Sequence, residues 1–162
     1  GSTRAPVTPA LIAAAARVRA VGGHPLAGRE GHGLAAARAG LFAGARFTLL
    51  PVAGEVPAIV RTLIADLGAE ALLVEPARHD AALARTSHLP YLVARALAAH
   101  GAEAAAQGLS GPAFRDMTRV AASDPRMAEA YVRANAREVA AAWRALRADL
   151  DERVRELAPP DS

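Results

Sequence analysis

The chain has 162 residues, enough for one domain or for the tail of one and the whole of another. Its formal net charge is only +3, its 19 basic residues are all arginine and lie scattered, and aromatics make up 4%, which argues against a nucleic-acid surface of clustered arginines and interleaved rings. With no cysteine there is neither a disulfide framework nor thiolate chemistry, and no stretch resembles a signal peptide or the ~20 apolar residues of a membrane span, so a cytoplasmic protein with no membrane partner is expected.

Thr8 stands where a helix cap is wanted and Pro9 at a first helical position, so a helix is expected to continue through Ala10 to Ala20. Val21 to His24 reads as a strand end inside the stretch Val21-Gly-Gly-His-Pro-Leu-Ala-Gly-Arg-Glu30. Glycines on both sides of one imidazole let the backbone come close to a bound molecule, and Pro25 stiffens the exit. Taken alone, the same stretch reads more readily as a glycine-rich turn whose histidine merely caps a strand. Gly33 to Phe42 reads as a small-residue helix and Arg46 to Pro51 as a strand. Glu55 to Leu67 reads as an amphipathic helix ended by a left-handed Gly68, and Ala71 to Val74 as a third, buried strand. Strand, helix, strand, helix, strand is the rhythm of a parallel α/β sheet.

Such a sheet of three short strands is incomplete, because a parallel sheet needs cover on both faces. No Gly-x-Gly-x-x-Gly turn joins a first strand to a helix either. The expectation is therefore a C-terminal portion of a larger protein that opens inside an α/β domain. Residues 1–75 are read as the end of a Rossmann-like α/β domain and residues 76–162 as an all-helical domain, mostly helical overall.

After Pro76 the period is helical. Arg78 to His100 reads as one long helical stretch kinked near Thr86 and Ser87 by Pro90, which has no N–H to donate. Residues 101–109 read as a weak helix or linker, Pro112 to Ala122 as a helix, and Ser123-Asp-Pro125 as the start of a last helix. That helix carries Val139, Trp143, Leu146, Leu150, Val154 and Leu157 at spacings of four, three, four, four and three. The seam wants a partner helix within the subunit or across a two-fold axis, and a homodimer is the preferred expectation.

Three separated segments then line up. His24-Pro-Leu-Ala-Gly-Arg-Glu30 with Gly33, Ala37 and Leu41-Phe42 behind it, Thr86-Ser-His-Leu-Pro90, and Phe114-Arg-Asp-Met-Thr-Arg-Val-Ala-Ala-Ser-Asp-Pro125 together resemble the prephenate dehydrogenases of tyrosine biosynthesis. The resemblance runs from Gly1 to about Leu150 and lacks the family's N-terminal nucleotide-binding half. It implies an oxidative decarboxylation of prephenate by NAD or NADP, giving 4-hydroxyphenylpyruvate, in which the protein holds a hydroxyl and two carboxylates and aims a hydride.

The resemblance also implies roles. The histidine of the His-Pro-x-Ala-Gly motif, His24, polarises or deprotonates the substrate hydroxyl, work suited to an imidazole whose unperturbed pKa is ~6.5. Gly1-Ser2-Thr3-Arg4 stands where the family has Gly-Ser-x-Lys, which places Ser2 beside that histidine and the nicotinamide. Glu30 matches a glutamate at the mouth of the family's site, and is equally an ordinary helix-start carboxylate. Arg119 matches an arginine whose planar fork binds a substrate carboxylate, while Arg115 and Asp116 on the same helix read as structural. Ser87 and His88 are candidates to contact nicotinamide or ring, with His88 bracing the kink as the alternative. His79 matches a histidine near the family's active site, on the cofactor side. Tyr91 follows Pro90 where many members have a second histidine; a phenol donates a hydrogen bond but carries no positive charge, so prephenate and its amino analogue arogenate both remain as substrates.

Two other readings compete. A metal hydrolase is disfavoured because the five histidines never place two on one helical turn with a carboxylate, and no metal is expected. A non-catalytic helical dimerisation module, unable to bind cofactor by itself, fits the same sequence.

Overall fold

The computed structural model describes residues 7–28, 33–34, 37–51 and 54–157. They fall into two compact units, Gly1–Asp80 with Ala122–Pro125, and Ala81–Ala121 with Arg126–Ser162. The first contains a small three-stranded sheet and the second is helical.

In the first unit, helix α1 (Thr8–Ala15) is followed by strands β1 (Val21–Pro25) and β2 (Arg46–Pro51), helix α2 (Ala58–Asp66) and strand β3 (Glu70–Leu73). The strand order is β1-β2-β3. β2 and β3 are parallel, joined through α2, but β1 runs antiparallel to β2 with His24 opposite Thr48, so the sheet is mixed and not the parallel one expected. An antiparallel neighbour needs no crossover helix. Accordingly the helix expected over Gly33 to Phe42 is absent from its described residues: residues 39–44 form turns, and Gly33, Gly40 and Gly44 take positive φ of 72°, 75° and 71°. Left-handed glycines cannot continue a right-handed helix, and here they override the alanines' helical preference.

β2 is the spine of this unit, with Thr48, Leu49 and Leu50 buried. Leu49, Val56 and Ile64 form its core, packed by Val21, Phe47, Val60 and Ala69. Gly23 lets β1 close over this core, since a Cβ there would stand 2.9 Å from the Phe47 ring. α2 ends in the expected left-handed Gly68 (φ 69°): Gly68 N–H donates to Ala65 O and Ala69 N–H to Ile64 O, the paired bonds of a Schellman cap. β3 departs from expectation in being exposed at all four positions, unlike β1 at the other edge of the sheet. α1 also differs. It stops at Ala15 short of Ala20, Val7 and not Thr8 occupies its cap position with no side-chain bond, and it buries no residue fully, although Leu11 packs half-buried over Gly22 of β1.

Helix α3 (Pro76–Leu83) leads from the sheet unit into a π-helical turn, Ala84–His88, and helix α4 (Leu89–His100). The turn sits at the expected kink: Leu89 N–H donates to Ala84 O five residues back, and the next residue, Pro90, has no N–H to give. Helices α5 (Ala102–Ala106) and α6 (Pro112–Thr118) follow, α6 tightening into a 3-10 turn at Arg119–Ala122. The expected last helix is two, α7 (Pro125–Ala134) and α8 (Ala136–Leu157), broken at Asn135. Asn135 N–H is shared between Tyr131 O and Val132 O, the bifurcation of a tightened helix end, and asparagine is a weak helix former.

Ala84, Leu89, Val139 and Ala142 form the helical core, packed by Val93, Val132 and Leu146. The seam of α8 therefore divides: Val139 and Leu146 turn inward, while Trp143, Leu150, Val154 and Leu157 are exposed. Among the described residues no helix is long and apolar enough to cross a membrane.

Candidate active site

Among the described residues, each unit gathers a histidine into a hydrogen-bonded cluster built around a buried ring. In the sheet unit, β1 presents His24 at its end, where the backbone is fixed twice: by the register with Thr48, and by the Thr48 hydroxyl, which donates to His24 O at 3.0 Å. The first turn of α3 brings in His79, whose N–H donates to Glu75 O. Nδ1 of His24 lies 3.0 Å from Nε2 of His79, and Nδ1 of His79 lies 2.9 Å from Asp80 Oδ1. The two rings meet edge to face, centroids 5.2 Å apart at 69°. His79 and Asp80 are only 3% and 2% exposed, whereas His24 is half-buried.

Proton positions follow from this chain of contacts. A carboxylate only accepts, so Nδ1 of His79 carries a proton and, in the neutral ring, Nε2 is an acceptor. That acceptor takes its hydrogen bond from Nδ1–H of His24. Nε2 of His24 is then the basic nitrogen of its ring, able to take a proton from a hydroxyl.

In the helical unit, the π turn ends at the fully buried His88. Asn135, 5% exposed at the break between α7 and α8, donates its side-chain amide to Nδ1 of His88 at 3.0 Å. The Tyr131 ring stacks on His88 with centroids 4.7 Å apart at 27°, and the buried Tyr91, one turn along α4, meets Tyr131 edge-on at 6.4 Å. Arg95 donates to the Tyr91 hydroxyl at 3.1 Å and lies over the ring, its Cζ 5.9 Å from the centroid. Burial, and secondarily the Tyr91 phenol, push the Tyr131 phenol above its ordinary range. Beside this cluster, α4, α6 and α8 enclose an apolar groove of about 650 Å³ floored by Leu89, Val93, Ala142 and Leu146, with Arg85 and Asp116 as its charged residues.

The structure thus brings His24 and His79 together, and gathers His88 and Tyr91 around Tyr131. Ser87 lies exposed in the π turn, and Arg119 opens the 3-10 turn after α6 on the surface. Ser2 and Glu30 lie outside the described residues. No group of three or more potential metal ligands occurs among the described residues. Sequence reasoning missed Asp80, Arg95, Tyr131 and Asn135. For Asp80 the adjacent His79-Asp80 pair was the available signal; for Asn135 it was an amide in the middle of a helical run.

The family described as "Prephenate dehydrogenase, dimerization domain" matches residues 75–161. A prephenate dehydrogenase of Lactococcus lactis is 31% identical over 116 residues, 68% of this chain and 32% of that protein. The chain spans about a third of the length of the first curated relatives it matches. Among solved structures, a Synechocystis arogenate dehydrogenase superposes with a TM-score of 0.80 at 29% identity, over 97% of this chain and 59% of that one. A prephenate dehydrogenase from Aquifex aeolicus, in complex with hydroxyphenyl propionate and NAD+, superposes with a TM-score of 0.71 at 29% identity, over 85% of this chain and 52% of that one.

Proposed function

The chain belongs to the prephenate dehydrogenase family, and from that premise we propose that it carries the substrate side of a nicotinamide-dependent oxidative decarboxylation of prephenate to 4-hydroxyphenylpyruvate. In this reading residues 1–75 end a Rossmann-like domain, residues 76–162 are the dimerisation domain, and two copies pair through the C-terminal helices.

One observation carries the reading: His24, on the His-Pro-x-Ala-Gly motif, is hydrogen-bonded through Nδ1 so that Nε2 is its basic nitrogen. That nitrogen takes the proton of the ring hydroxyl while hydride leaves the same carbon. The ring carboxylate then departs as carbon dioxide, its bonding electrons aromatise the ring, and the ring oxygen regains a proton. NAD or NADP would supply the hydride acceptor when bound; Ser2 is assigned to contact the nicotinamide, and His79, both of whose ring nitrogens are engaged, serves that side only through His24. Arg119 pairs with a substrate carboxylate through its planar fork. Ser87, Tyr91 and Glu30 are assigned to substrate, while His88, fully buried and bonded to Asn135, fits the alternative of bracing the kink. The Tyr91 phenol, already accepting from Arg95, offers a polar and uncharged contact. That contact, together with the likeness to an arogenate dehydrogenase, keeps arogenate as the alternative substrate.

The test is a full-length version mixed with prephenate and NAD+, followed at the reduced-nicotinamide absorbance. Signal is expected, with a loss of about 100-fold or more in His24→Ala. Equal rates for the two would remove His24 from the chemistry.

The exposed apolar residues of α8 favour a second reading, a dimerisation module without catalysis in the isolated chain. A folded dimer of these 162 residues that reduces no cofactor supports it.

A further inference from the structure

We infer, resting on the reading of His24 as the proton acceptor, that His79 and Asp80 are its positioning residues: they fix the His24 tautomer and so make Nε2 the base. A contact between two imidazole nitrogens is symmetric in itself, since one proton lies between them and either ring can own it. At His24 and His79 the carboxylate behind His79 breaks that symmetry. Asp80 Oδ1 accepts from Nδ1 of His79 at 2.9 Å, which in the neutral ring leaves Nε2 of His79 an acceptor and assigns the shared proton to Nδ1 of His24.

The surroundings hold that polarity in place. The side chains of His79 and Asp80 are each 2% exposed, so bulk water does not compete for their contact. His24 is anchored by the sheet through the Thr48 bond to its carbonyl, and His79 by the helical bond of its N–H to Glu75 O. Both rings therefore have fixed origins, and their 69° interplanar angle points the edge of one at the other. The same logic orients imidazoles by a buried carboxylate at other proton-transfer sites. No proton need pass along the chain; the pair acts by setting which nitrogen of His24 is basic.

Nitrogen NMR of the 162-residue chain labelled in histidine reads the tautomer directly. In the parent, His24 is expected as a single Nδ1–H tautomer with a pyridine-type Nε2. Asp80→Leu, which neither accepts nor donates, should leave His24 distributed between both tautomers. His79→Gln should preserve the parent pattern, because its amide oxygen still accepts from Nδ1–H, whereas His79→Ala should lose it. In the full-length version, Asp80→Leu should lower kcat at least about tenfold with KM for prephenate nearly unchanged, and His79→Gln should recover most of what His79→Ala loses.

A folded Asp80→Leu with the parent tautomer, or identical behaviour of His79→Gln and His79→Ala, overturns the assignment. If Asp80→Leu does not fold, the His79 pair decides. Should the full-length parent fail to reduce cofactor while the tautomer pattern is intact, the dehydrogenase reading falls and the tautomer assignment stands.

Discussion

The sheet unit and the helical unit each bury a hydrogen-bonded histidine arrangement, and the two have opposite polarity at the same ring atom. Nδ1–H of His24 donates a hydrogen bond to His79, whose other nitrogen is tied to a carboxylate; Nδ1 of His88 accepts one from the amide of Asn135. The basic nitrogen is therefore Nε2 in His24, whereas in His88 the same atom carries the N–H. An imidazole's chemistry is thus set less by the ring than by whether the group behind it can only accept or is able to donate.

The largest effects should separate the two units kinetically. In a chain that also carries a nucleotide-binding half, His24→Asn is expected to lower turnover by about 100-fold or more while leaving the Michaelis constant for prephenate nearly unchanged. Arg119→Ala, in the helical unit, should instead raise that constant by about 10- to 100-fold, the worth of a charge-assisted hydrogen bond. Swapped outcomes in steady-state kinetics would break the assignment of proton chemistry to one unit and binding to the other.

A smaller effect sharpens the polarity itself. Asn135→Asp replaces a donor by a group that only accepts, so the proton of His88 should move from Nε2 to Nδ1, making it resemble His79 beside Asp80. Nitrogen NMR reads the exchange, and denaturant unfolding should register a loss of about 1–3 kcal/mol for the disturbed buried pair. An unchanged His88 tautomer would mean that Asn135 does not set it.

The smallest effect is titration of Tyr131. Its phenol is held above the ordinary value by burial and then by Tyr91, so the fold favours the neutral form. That preference is fully present below the unfolded value of ~10 and is lost as pH rises toward the folded value. The unfolding midpoint should therefore decline above pH ~10 in the parent and decline less in Tyr131→Phe, which keeps the stack on His88. Coincident profiles would place the Tyr131 hydroxyl outside this effect.

The parts of the fold legible beforehand were those written in local chemistry. Arg46 to Pro51 is a strand as its composition indicates, Gly68 is the left-handed stop of α2, and Pro125 begins a helix. The π turn over Ala84–His88 lies where the missing N–H of Pro90 calls for relief. Pairing was not legible. Nothing near Val21 states that β1 meets β2 antiparallel, and the alanines between Gly33 and Phe42 favour a helix that the left-handed Gly40 interrupts. The break at Asn135 is likewise explained by a partner, His88, 47 residues away.

The candidate site divides along the same line. The identities of His24, His79, His88, Tyr91 and Arg119 stand in the sequence, and the motifs around them suffice to indicate the family, because residue types and short spacings survive in a linear string. That His24 is bonded to a histidine 55 residues away, and that one carboxylate decides which of its nitrogens is basic, emerged only with the tertiary structure. Hydrogen-bond polarity depends on which atoms come within about 3 Å of each other, and chain order alone does not contain that distance.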